Sequence, residues 1–284
     1  MRILLLLTRM VKCLYLYLTL PVYDTNRLRR LFKKALCILG ILHFLGLISY
    51  TFRKYYDVVD RTLVRKIWIL YNDYICTSSD LDGLIVFHPL HEYRVVQILK
   101  ILLHRGATFI DVGAHVGKYT LLACKIVGPE GVVLALEPVP ENYMCLTTNI
   151  RINNLQNIVI AKPLAAWSNK TILKFTIPPC KTAPSAKTLR HYTGLPLRGY
   201  EILCPATDLD SLVQGLKIGK IDVIKIDVEG AEVEVLKGSE GILRKYKPKI
   251  IIEIRPQTLD DVLKILKRFH YKVSFINKSM LLAI

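Results

Sequence analysis

The chain has 284 residues, of which 52% are hydrophobic and 22% charged; this excludes a disordered chain or a disulfide-stapled miniprotein and fits one large α/β domain plus an extra segment. Mean hydropathy is +0.33, so some apolar surface should meet lipid or a partner, yet only one stretch is long enough to span a bilayer, which excludes a polytopic membrane protein. The net charge of +17 is uneven: residues 1–66 hold 13 Lys/Arg and 3 Asp, the remainder 27 basic and 20 acidic groups.

Residues 1–66 read as a basic, apolar, helical segment. No small-residue cleavage signal follows Arg2–Leu7, so a cleaved signal peptide is not expected. Ala35–Phe52 carries no charge over 18 residues; as a helix it would be about 27 Å long, near the hydrocarbon thickness. Arg27, Arg29, Arg30, Lys33 and Lys34 precede it and Arg53 and Lys54 follow, so no positive-inside orientation emerges. A span, an interfacial helix and a core helix all fit. Basic charge beside apolar runs favours a membrane surface over nucleic acid. Val59, Leu63, Ile67 and Leu70 then predict a helix over 56–76.

Residues 67–284 read as one folded domain. The seven cysteines show no C-x-x-C spacing, which argues against a disulfide framework or a cysteine zinc site and for a reducing, cytoplasmic setting. A helix over Tyr93–His104 stops at Gly106. Then come strand Thr108–Val112, a glycine turn, helix Lys118–Val127, strand Gly131–Leu136 ending at Glu137, strand Ile158–Leu164, strand Ile221–Ile226 ending at Asp227, and strand Lys249–Ile254. Helix 258–269 and strands Tyr271–Ile276 and Met280–Ile284 close the chain. Such alternation predicts a parallel sheet with helices on both faces. The closing hairpin requires one antiparallel strand. An insert, 168–206, carries strands Thr171–Ile177 and Tyr200–Cys204.

Chemistry concentrates at strand ends. Asp111-Val-Gly113-Ala114-His115-Val-Gly117 lies between a strand and a helix, where glycines let backbone approach a ligand. His115 breaks the G-x-G-x-x-G dinucleotide fingerprint, and no P-loop is present. The aspartate suits a ligand with an amino-acid moiety better than a pyrophosphate. Glu137, 20 residues after Gly117, could accept from a ribose diol. Asp227 and Glu229 end the next site strand, where a carboxylate could take or orient a hydroxyl proton; Glu232 reads as a helix-dipole acid.

Phe109-IDVGAHVGKYTLL, Leu134-ALEP, Asn149–Asn157, Ile221-DVIKIDVEGAEVEVLKG and Lys247-PKIIIEI together resemble the FkbM family of S-adenosylmethionine-dependent methyltransferases, over about residues 83–256. The resemblance implies a class I (Rossmann-like) methyltransferase fold: a seven-stranded, mostly parallel sheet with a C-terminal antiparallel hairpin, here preceded by the N-terminal helical segment. It also implies O-methylation of a sugar or other hydroxylated acceptor. Its cofactor contacts would fall on Asp111, Gly113, Ala114, Gly117 and Glu137. His115 stands where the family usually places asparagine. For the base the order is Asp227, Glu229, His115.

Several signals are rejected. No N-P-P-Y-type tetrapeptide follows the Asp227 strand. Pro179-Cys180 lies in the wrong loop for a cytosine C5 nucleophile. His88-Pro-Leu-His91-Glu92 lacks a third convergent ligand, so no metal is called for, although Mg²⁺ at Asp227 stays open. The loop 178–199 carries Lys187, Arg190 and Arg198 and no acid, which suggests that it binds an anionic acceptor. The expected acceptor is a hydroxylated small molecule, a glycan or a glycolipid, met at a membrane surface or through a single pass at 35–52. The alternatives are a nucleic-acid methyltransferase and a non-catalytic cofactor-binding module.

Overall fold

The computed structural model describes residues 22–23, 68–78, 86–87, 91–177 and 200–284. Two compact units divide the chain, Met1–Tyr93 and Arg94–Ile284.

In the first unit, strand β1 (Val22–Tyr23) pairs antiparallel with β2 (Trp68–Tyr71), and β2 with β3 (Tyr74–Thr77). The helix expected over 56–76 is therefore corrected. Its residues 68–71 and 74–77 form a hairpin, and 56–67 lie outside the described residues. The cause is local chemistry. Trp-Ile-Leu-Tyr and Tyr-Ile-Cys-Thr are aromatic and β-branched runs, and Asn72 and Asp73 between them both take positive φ, 47° and 70°. That is the two-residue turn whose twist suits a hairpin. Of the segment 1–66, only Val22–Tyr23 is described, and it is a strand. Ala35–Phe52 lies outside the described residues. No helix among the described residues is long and apolar enough to cross a membrane.

The second unit begins one residue into α1 (Tyr93–Leu102) and continues with β4 (Thr108–Val112), α2 (Lys118–Val127), β5 (Val132–Leu136), α3 (Pro140–Ile152) and β6 (Val159–Lys162). An insert contributes β7 (Ala165–Ala166), β8 (Thr171–Ile177) and β9 (Tyr200–Thr207). Then follow α4 (Leu209–Gly215), β10 (Val223–Ile226), α5 (Glu232–Lys237), α6 (Glu240–Lys245), β11 (Lys249–Glu253), α7 (Leu259–Arg268), β12 (Val273–Phe275) and β13 (Met280–Ala283).

Seven strands form one sheet in the order β12-β13-β11-β10-β4-β5-β6. The pairs from β11 through β6 are parallel, while β13 runs antiparallel to both β11 and β12. This is the class I methyltransferase topology, with the closing hairpin slotting its last strand inside the sheet. Central strands β4 and β10 are buried along their whole length, which is why Thr-Phe-Ile-Asp-Val and Val-Ile-Lys-Ile read as near-continuous apolar runs. Ile110, Leu134, Ile224, Ile250 and Ile252 join Val262 and Leu266 of α7 in one core. Helix α7 buries that stripe, opens on Asp260 and Asp261 and closes on Lys267 and Arg268, matching its dipole.

The insert forms a second, three-stranded sheet, β7-β9-β8. Phe175, Cys204, Ala206 and Ala165 pack with Val139, three residues past the end of β5. The insert thus leans on the segment that follows Glu137. Its loop 178–199, with Lys187, Arg190 and Arg198, lies outside the described residues.

Candidate functional site

The parallel order puts the C-terminal ends of β4, β5, β10 and β11 at one edge of the sheet. The turn after β4 is held in place by its own amides. Gly113 and Ala114 N–H both donate to Leu136 O, at 3.0 and 2.9 Å, and Gly117 N–H donates to Ala114 O at 2.9 Å. His115 N–H donates to Glu137 Oε2 at 2.8 Å. With these amides spent internally, the turn is not a nest of free N–H groups for a pyrophosphate. Gly113 has φ +79°, and a Cβ there would lie 1.9 Å from Asp227 O. Only glycine permits that approach of the β4 turn to the end of β10. His115 sits at φ 54°, the left-handed region that asparagine enters most readily among non-glycine residues and histidine also visits.

Asp111 is fully buried. Its Oδ2 accepts from Thr120 Oγ1 at 2.7 Å, while Oδ1 has no hydrogen-bond partner among the described residues. A buried carboxylate oxygen left without a donor is costly, and burial pushes the Asp111 pKa up, against the Lys225 ammonium and the Thr120 hydroxyl. This oxygen fits a cationic amino group brought in by a ligand. Glu137 is also buried, and Val139 N–H and Asn142 Nδ2 donate to Oε1 at 2.9 and 3.4 Å. Burial raises its pKa, opposed by His115 and these amides. The carboxylate expected to take a ribose diol therefore also fixes the glycine turn. Only Oε2, with its one donor, keeps a lone pair for a ligand hydroxyl.

Asp227 follows β10, and its N–H donates to Val112 O at 3.0 Å. Its Oδ2 takes Lys225 Nζ at 2.6 Å. Lys225 is 1% exposed, a full charge inside a core strand, tolerated because it is paired. Register places it beside Asp111 on β4, and its Nζ lies 4.5 Å from the Tyr119 ring centroid. Burial would raise the Asp227 pKa, but Lys225, with help from Glu253 and His115, holds it below the usual carboxylate range. Glu253, ending β11, is next along the register, since Ile226 pairs with Ile252.

Asp227, Glu229 and Glu253 bring one carboxylate oxygen each within 4.8 Å of one another, a spacing a divalent cation could bridge. Two of the three already hold cations: Lys225 on Asp227 and Arg255 on Glu229. Glu229, at φ 55°, is thereby turned onto Arg255. Glu232 is buried and accepts from Gly230 N–H at 2.6 Å, so it braces the turn at the start of α5.

The structure thus brings Asp111, Gly113, Ala114, His115, Gly117, Glu137, Asp227 and Glu229 to one edge. Sequence reasoning passed over Lys225, Tyr119, Asn142, Glu253 and Arg255. Two of these had a signal. Lys225 is the lone charge in an apolar strand, and Glu253 is a strand-end acid like Glu137 and Asp227. The described cysteines, 76, 124, 145 and 204, are buried thiols outside any disulfide, and burial, then Asp111, pushes the Cys124 thiol up to about 12.

Residues 111–273 match the family profile of the methyltransferase FkbM domain. The methyltransferase sdnD of Sordaria araneosa is 28% identical over 178 residues, 52% of this chain and 68% of that protein. The crystal structure of an FkbM methyltransferase from Methylobacillus flagellatus KT aligns at 16% identity and TM-score 0.46, covering 73% of this chain and 56% of that one. Fibrillarin from Aeropyrum pernix, solved with S-adenosyl-L-methionine, aligns at 14% identity and TM-score 0.42, covering 67% of this chain and 73% of its own. Matching across more than half its length, from Asp111 to the start of β12, this chain belongs to the FkbM family of methyltransferases, and its cofactor is S-adenosylmethionine.

Proposed function

We propose that this methyltransferase modifies a hydroxyl oxygen of a glycan or glycolipid. The observation that carries the proposal is the Lys225-bound Asp227 carboxylate, set one strand from Asp111 and in backbone contact with the glycine turn.

S-adenosylmethionine, when bound, supplies an activated methyl on a sulfonium. Asp111 Oδ1 would hold its amino group, and Glu137 Oε2 would accept from a ribose hydroxyl. Gly113, Ala114 and Gly117 would keep the turn thin enough for close approach. The remaining task is alignment of the acceptor oxygen with the methyl and removal of one proton. As the C–O bond forms, the hydroxyl proton becomes strongly acidic, so a carboxylate of low pKa is base enough, and Asp227 accepts it. Lys225 keeps Asp227 ionised and aimed. Glu229 and His115 follow in order, since Arg255 already holds Glu229 and the His115 backbone is committed to Glu137.

The test is transfer of labelled methyl to glycan and lipid extracts. The proposal expects product from the full-length protein, and a loss of ~10²-fold or more in Asp227→Asn with cofactor affinity retained. Label entering RNA or DNA instead of sugar would overturn it. The basic loop adds a second expectation. Neutralising Lys187, Arg190 and Arg198 together should raise acceptor KM and leave cofactor affinity alone; an unchanged KM would refute the anionic acceptor.

A further inference from the structure

The catalytic groups stand at the C-terminal ends of the parallel strands. The opposite edge, at their N-terminal ends, includes the segments that lead into β10, β11 and β12. Residues 217–222, 244–249 and 267–272 together contain nine Lys/Arg and a single acid, Asp222. All nine of these basic residues are exposed. Asp222 is already used: it takes Lys220 Nζ at 3.0 Å and Thr108 N–H at 2.8 Å. The segments are far apart in sequence and become one strip only through the sheet. Lys247 Nζ reaches Phe269 O at 2.6 Å, and Tyr271 OH reaches Pro248 O at 2.9 Å, tying the second segment to the third. Lys249 N–H donates to Asp222 O at 2.9 Å, tying it to the first.

We propose that this strip docks the catalytic unit on an anionic lipid surface, with the catalytic edge turned away from the bilayer. Three observations favour lipid headgroups over nucleic acid. The aromatic rings in the strip are covered by its own cations: Arg244 and Arg268 lie 5.6 and 4.9 Å from the Phe269 centroid, Lys245 lies 4.6 Å from Tyr246 and Lys247 lies 5.8 Å from Tyr271. No ring is offered for base stacking. Seven of the nine basic residues are lysines, point charges suited to headgroup phosphates and carboxylates rather than to planar base edges. A nucleic acid held here would be at the wrong edge to be methylated, whereas the chain also carries, at 35–52, an uncharged apolar stretch between basic flanks. The acceptor must then be presented from the aqueous side, as a free glycan or a headgroup that extends well beyond the bilayer.

Lysine acetylation footprinting of the full-length protein tests this. Vesicles of phosphatidylcholine alone are compared with vesicles holding about one phosphatidylserine in three. The proposal expects Lys245, Lys247, Lys249 and Lys272 to be protected several-fold by the anionic vesicles only, and released by raised salt, while Lys162 at the C-terminal end of β6 and Lys170 of the insert react equally in both. Equal reactivity of the four strip lysines overturns it, even where the protein as a whole pellets with vesicles. Protection by RNA without protection by anionic vesicles also overturns it. As a second reading, replacing these four lysines with glutamine should weaken phosphatidylserine binding ~10-fold or more without changing S-adenosylmethionine affinity. Unchanged vesicle binding by a folded variant counts against the strip.

Discussion

Three carboxylates at the C-terminal edge of the strands, Asp111 and Glu137 buried and Asp227 partly exposed, have been given different tasks by their neighbours. Asp111 lacks a donor on Oδ1 and has its pKa raised by burial; Glu137 is spread over the turn amides; Asp227 is held ionised by Lys225. The raised value of Asp111 has a consequence for binding. A cationic amino group needs the ionised form, so S-adenosylmethionine affinity should fall as pH drops through a range above the ordinary aspartate value of about 3.9. Calorimetric titration across pH 4–7 reads this, and Asp111→Asn should abolish that acid limb. Lys225 makes a stability prediction. Asp227 has a depressed pKa, so the pair contributes stability that is present above the unfolded aspartate value and is lost as pH falls through the folded one. Lys225→Met should cost about 3 kcal/mol at neutral pH by leaving a carboxylate without its cation. The cost should shrink as Asp227 protonates, and part of it should return in the double variant with Asp227→Asn. A pH-independent cost in urea denaturation would contradict this. At Gly113 the predicted effect is steric. Gly113→Ala places a methyl 1.9 Å from Asp227 O at φ +79° and should lower stability by roughly 2–4 kcal/mol and cofactor affinity with it.

At the scale of elements, α4 caps α6. Asp210 accepts from Gly241 and Ile242 N–H at 2.7 and 2.8 Å, satisfying two orphan amides of a six-residue helix that has no capping side chain of its own. Asp210→Ala should cost about 1 kcal/mol in thermal unfolding, and no loss would show that the helix holds without it. This cap was not legible in the sequence, because its donor and acceptor are 31 residues apart. The sheet elements were legible, because each couples an apolar run to a turn residue with one meaning. Thr108–Val112 and Lys118–Val127 fall at their expected bounds, punctuated by Gly113 and Gly117. The hairpin at 68–77 was missed because Val59, Leu63, Ile67 and Leu70 share helical spacing, and the Asn72-Asp73 turn signal was weaker than Asn-Gly. Lys225 was missed because only the register, Lys225 beside Asp111, makes its charge a partner of the site.

Within the second unit, carboxylates gather at the C-terminal ends of β4, β5, β10 and β11, and lysines gather in the segments that lead into β10, β11 and β12. The strip could not be read from the sequence, where its three segments are separated by about 20 residues each and look like ordinary loop lysines. The carboxylate edge could be read in part, since Asp111 is next to last in one predicted strand and Glu137 and Asp227 end two others. One titration bears on the whole arrangement: S-adenosylmethionine into the full-length protein, beside Asp111→Asn. The account predicts saturable binding that weakens ~10-fold or more in the variant, as expected for loss of a charge-assisted hydrogen bond, with melting temperature unchanged or raised. Equal affinity in both proteins, or no binding by the folded wild type, would contradict it.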